Sequence, residues 1–65
     1  MKTLTADKVK RLAPGTDVFL VDEDTGRKGR GFVLQKGRKK VLHWVLSNRD
    51  MKIEDRPGWH YEVEE

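Results

Sequence analysis

Large apolar residues gather in four places along the chain: Val18–Val21, Phe32–Leu34, Val41–Leu46, and every second position from Trp59 to Val63. The last of these alternates cleanly. Trp59, Tyr61 and Val63 fall on one face of a strand, His60 and Glu62 on the other. The β-branched and aromatic runs predict strands over about 17–22, 30–35, 40–47, 51–54 and 59–63. Turn sequences separate them: Glu23-Asp-Thr-Gly26, Lys36-Gly-Arg-Lys39, Ser47-Asn-Arg-Asp50 and Asp55-Arg-Pro-Gly58. Ahead of the strands, residues 5–13 read as one short helix. Thr5 is its N-cap, Asp7 favours the dipole in the first turn, and Leu4 and Val9 have the spacing of a hydrophobic staple. Pro14-Gly15 ends it. A helix this short needs a surface to dock on. The runs VFLV and VLHWVL are apolar on both faces, so the helix or a loop is expected to cover part of the outside of the first and third strands.

Five short strands joined by tight turns predict a mainly β fold. Curling the ribbon into a small five-stranded barrel would bury one face and remove most of the free edge. At 65 residues the chain is one domain, 1–65, with a thin core. It is 35% hydrophobic and 38% charged, but the clustering of its large side chains separates it from disordered sequences. There is no cysteine, hence no disulfide framework or thiolate metal site. MKTLTADKVKRL lacks the apolar centre of a signal peptide, and no apolar run approaches the ~18 residues of a membrane span. The expectation is a soluble, cytoplasmic, free-standing monomer of the size of small accessory or viral proteins.

Three segments carry a family resemblance: Pro14-Gly-Thr-Asp-Val18, Lys28-Gly-Arg-Gly-Phe-Val33, and Val41 to Val45. Their order is similar to that of SH3-like small barrels of the KOW and Tudor types. KOW-type segments run from Gly-Asp-x-Val through Lys-Gly-x-x-Gly-x-Val into an apolar strand. Here the spacing from the second glycine to the valine matches, and that between the glycines is one residue short. The resemblance covers about half the chain. It implies a non-enzymatic module that binds nucleic acid or protein through loops and one exposed strand face.

Charge sharpens that expectation. Gly26 to Lys40 holds Arg27, Lys28, Arg30, Lys36, Arg38, Lys39 and Lys40, half of the chain's 14 cations, and no acid. The run covers two turns at the ends of one strand, expected to lie roughly 17–20 Å apart. That is enough to meet several phosphates of DNA or RNA at once, if both corners face the same side. The competing reading is ordinary solvated turns, in which lysines keep strands from pairing between molecules. Among the large rings, Trp44 and Trp59 read as core. Phe32 and Tyr61 are the candidates for stacking on a base. An aromatic cage for a methylated lysine has nothing in the spacing to select it.

Catalysis finds little support. His43 and His60 are the only histidines, too few for an ordinary zinc site. Ser47 lies in a turn where hydroxyls bond their own backbone. Glu54 and Asp55 are adjacent, so in a strand they face apart. Gly26-x-x-Gly29-x-Gly31 precedes a strand rather than a helix, the wrong context for a phosphate loop. No enzyme, cofactor or metal is expected, and Glu62 to Glu65 reads as a solvated end. The sequence therefore points to a nucleic-acid-binding module using the basic hairpin, with low base specificity. Its rivals are a small protein-binding adaptor or inhibitor of a larger complex, and a structural subunit pairing through its Phe19/Val21 or Val41/Val45 face.

Overall fold

The computed structural model describes residues 1–64. Six strands run β1 (Lys2–Leu4), β2 (Asp17–Asp22), β3 (Lys28–Lys36), β4 (Lys39–Trp44), β5 (Arg49–Lys52) and β6 (Trp59–Val63), with one helix, α1 (Ala6–Val9), after β1. The fold is mainly β. All six strands form one antiparallel sheet in the order β1-β6-β2-β3-β4-β5. The five-stranded closed barrel expected from the sequence is thus corrected to an open sheet of six. The additional strand is Lys2–Leu4, which pairs with β6 as Lys2 opposite Val63 and Leu4 opposite Tyr61. It lies at one edge and β5 at the other, so the ribbon has two ends that do not pair.

Residues from every strand share the covered face. Leu4, Val18, Leu20, Val33, Leu42, Tyr61 and Val63 join Ala6, Val9 and Ile53 in the core, with Leu12, Trp44 and Met51 packed against it. The helix sits here, on the same face as Val18 and Leu20, rather than on the outside of the first and third strands as expected. That outer face keeps Phe19, Phe32, Leu34, Val41 and His43 half-buried without a second layer.

The helix is shorter than the predicted 5–13 because its last turn tightens. Arg11 and Leu12 donate to the carbonyls of Lys8 and Val9, three residues back, and Pro14 follows. Thr5 occupies the N-cap position, but its side chain makes no capping bond. A carboxylate from far along the chain holds the helix start in another way: the N–H of the first helical residue, Ala6, donates to Asp55 Oδ1 at 3.0 Å, whereas an N-cap side chain serves the second or third N–H. Tyr61 fixes the same segment, its hydroxyl donating to the Glu54 carbonyl at 2.8 Å and accepting from the Glu54 N–H at 3.2 Å. At the other end, Lys40 Nζ donates to the Leu12 carbonyl at 2.9 Å. Exposed helix-end carbonyls need such partners, and a cation there suits the dipole.

Two glycines shape what lies nearby. Gly37, with φ 60°, opens the two-residue turn between β3 and β4, a position that favours glycine in hairpins. Gly31 faces Trp44 across the β3–β4 ladder. A Cβ on Gly31 would lie 2.9 Å from the His43 carbonyl oxygen and 3.1 Å from the Trp44 ring. The bare backbone there lets the indole lie against β3.

Candidate functional site

The basic run does not stay together when folded. Side chains alternate along β3, so Lys28, Arg30 and Lys36 share the outer face. Each meets an acid distant in sequence. Lys28 pairs with Glu62 at 3.2 Å, Arg30 with Asp17 at 3.3 Å, and Lys36 with Asp50. Arg27 lies beyond one end of β3, and Arg38 and Lys39 lie beyond the other. Nine residues of strand separate them, about 30 Å at the usual rise per residue. The two corners are therefore further apart than the sequence spacing suggested. Lys40 is on the covered face, opposite Gln35, and reaches the end of α1.

A different set of cations converges instead. Between the end of α1, the β3–β4 hairpin and edge strand β5 runs a groove of about 850 Å³. Lys10, Arg38, Lys39, Lys40 and Lys52 border it around Val41, Met51 and Ile53. The ladders put Lys40 and Met51 on the covered face and Lys39, Val41 and Lys52 on the outer face, so the groove wraps the edge of the sheet. Asp50 is its one carboxylate, and Asp50 is already engaged. Lys36 binds one carboxylate oxygen, and His43 Nδ1 lies 2.8 Å from the other. Hydrogen bonds from Lys36 and then His43 hold the Asp50 carboxyl below its ordinary value, so it stays ionised. Among the described residues, no acid lies within ion-pair distance of the five groove cations. Sequence reasoning reached three of the five. Lys10 and Lys52 come from separate elements, and no local run marks them.

The aromatic residues are also placed unlike the expectation. Tyr61 is 2% exposed, and burial pushes its hydroxyl above the ordinary value. It has no ring face to offer a base. Phe32 packs on His43 on the outer face, with ring centroids 5.1 Å apart. Trp59, expected in the core, is 41% exposed, and Trp44 is half-buried. Both line a second pocket of about 340 Å³, with Leu20, Gly29, Met51 and Arg56. Arg56 Nε is buried there without a hydrogen-bond partner among the described residues. A buried donor left unpaired costs about 1–3 kcal/mol.

No protein-family model, curated protein or solved structure matches the chain. The groove and the pocket therefore carry the functional reading by themselves. No helix among the described residues is long and apolar enough to cross a membrane. Glu62 and Val63 belong to β6, and of the expected solvated end only Glu64 is exposed outside a strand; Glu65 lies outside the described residues.

One cluster on the outer face sets a pH dependence. His60 Nε2 lies 2.6 Å from Glu62 Oε2, and His60 Nδ1 lies 3.0 Å from Glu23 Oε2. The bond to Glu62, then that to Glu23, raises His60 above the ordinary 6.5, against the opposing effect of burial. A raised histidine stabilises the fold fully below ~6.5, and that contribution is lost as pH climbs through the folded value. Glu62 and Asp50 act in the opposite sense. Their lowered values add stability above the ordinary carboxylate range, lost as pH falls through the folded values. These groups together favour mildly acidic solution. Thermal unfolding of the parent is expected to show a midpoint that declines from pH 6 to pH 9. His60→Gln removes that decline; an unchanged decline in the variant would reject the assignment.

Proposed function

We propose that the chain is a non-enzymatic nucleic-acid-binding module that holds the phosphate backbone in the groove between α1, the β3–β4 hairpin and β5. One observation carries this reading: five cations from three separate elements line one groove whose single carboxylate is already bound by Lys36. Phosphates are strong acceptors at fixed spacing, and their neutralisation by Lys and Arg supplies most sequence-independent affinity. Base specificity through the groove is low, because α1 spans four residues and offers no recognition helix. Lys28 and Arg30 add little. Exposed ion pairs hold their partners weakly, but Glu62 and Asp17 cancel their field at a distance. The return of β6 to pair with β2 after the β2–β5 meander supports the SH3-like kinship implied by Pro14–Val18 and Lys28–Val33, here in open form.

A second reading, a protein-binding adaptor, draws on the turn after β4, where Leu46 is 97% and Val45 is 51% exposed. Two apolar side chains at a tip suit a protein groove better than a phosphate backbone. The test between the readings is neutralisation of the hairpin cations against neutralisation of the outer-face cations, measured on an oligonucleotide. An adaptor responds to neither.

A further inference from the structure

The Trp44–Trp59 pocket opens beside the basic groove, and Met51 lines both. We propose that this pocket receives one nucleobase of a single-stranded nucleic acid whose phosphates lie in the groove. The inference rests on the groove reading above and narrows it, from any polyanion to an unpaired strand.

Three features fit a base. First, the walls are flat and apolar. Neither indole has a ring contact with another aromatic side chain among the described residues, so their faces are not already used by other rings. Every base has a π-face that stacks on such a wall without regard to sequence. Secondly, Gly29 lines the pocket without a side chain, and a Cβ there would meet the Trp44 ring at 3.4 Å. At about 340 Å³ it stands at the small end of sites that take a small molecule.

Thirdly, the polar group in the pocket is a donor. Arg56 Nη2 is held by Glu54 at 3.3 Å and its Nε is buried, so the remaining N–H groups of the guanidinium are the donors for a ligand. A guanidinium has only N–H donors, which match the carbonyl oxygens and ring nitrogens of a base edge. The same cation opposes a quaternary ammonium, and no carboxylate lines the pocket to attract one. A base paired within a duplex keeps its faces and its pairing edge inside the stack, so only an unpaired or extruded base enters.

The chain's only two tryptophans are these two, so its tryptophan emission, excited selectively over Tyr61, reports on the pocket alone. The full chain is titrated with a short oligothymidylate, with an abasic oligonucleotide of the same length, and with a duplex. Each carries a dye, so that anisotropy records binding separately. Oligothymidylate is expected to quench the tryptophan emission. The abasic strand and the duplex are expected to bind without quenching. Trp59→Ala lowers affinity for oligothymidylate by about 5- to 150-fold, the range for losing one stacked base, and leaves abasic binding unchanged. Trp59→Phe restores most of the loss. If oligothymidylate binds no tighter than the abasic strand, or binds with no change in emission, the pocket inference falls while the groove reading stands. If none of the three binds at low salt, both fall. Quenching by a trimethyllysine peptide but not by oligothymidylate would reassign the pocket to a cation and overturn the inference.

Discussion

Replacing Arg38 and Lys39 together with glutamine is expected to weaken binding to a single-stranded oligonucleotide by about 15-fold at 0.15 M salt. The figure follows from counterion release, at roughly 0.7 ion for each phosphate that a cation neutralises. For a duplex, at roughly 0.9 ion per phosphate, it becomes about 30-fold. The matched control is Lys28→Gln with Arg30→Gln. It removes two cations from the same sequence run, so both variants lower the formal net charge of +3 by two. Its expected effect is under about threefold, because Glu62 and Asp17 already offset those charges. Equal losses in the two variants would mean that net charge, not the groove, governs binding. Circular dichroism is expected to show the parent spectrum for both, since all four side chains are exposed.

Leu42→Ala is expected to be the most destabilising single truncation. Leu42 is fully buried at the centre of β4, between Val33 on β3 and Met51 on β5. Removing three buried carbons from such a site costs about 2–5 kcal/mol. A 65-residue domain has roughly 3–10 kcal/mol in total. The variant should therefore melt roughly 10 °C or more below the parent, or be largely unfolded at room temperature. Leu46→Ala is the internal comparison. The same atoms are removed from a side chain in the turn after β4 that is almost wholly solvated, and the expected change is within about 0.5 kcal/mol. Similar melting points for the two variants would contradict the packing described here.

Alternation of large side chains made the mainly β character legible, because a period of two is a local property. In β6, Trp59, Tyr61 and Val63 all point as that period requires, although Trp59 ends up at the margin of the core. Lys2-Thr-Leu4 carried no such mark. Three residues are too few for a period, and they form a strand only because β6 offers a partner. The contact that holds the helix start is equally unmarked, since the carboxylate that accepts from the Ala6 N–H lies 49 residues away. The charge pattern misled for a related reason. A run of cations in sequence became a run split over two faces and two ends of a strand, with Glu62, Asp17 and Asp50 folded onto three of its members. The groove assembled itself from Lys10 on the helix end, the hairpin tip and Lys52 on an edge strand. Only the fold brings these together, so no spacing in the chain could have announced them.

The glycines opposite Trp44 illustrate how fold and site are joined. Gly29 and Gly31 read in sequence as part of a loose glycine-rich stretch, yet they lie within β3. Their bare backbone seats the Trp44 ring, and that ring forms a wall of the pocket beside the groove. The Trp44 Nε1–H donates to Met51 Sδ at 2.8 Å, which ties the pocket wall to the side chain shared with the groove.

The salt dependence of affinity for oligothymidylate tests the central claim most directly. If about four of the five groove cations meet phosphates, log K falls against log salt with a slope near −2.8. A slope near zero, or no measurable binding at about 50 mM salt, would contradict the account.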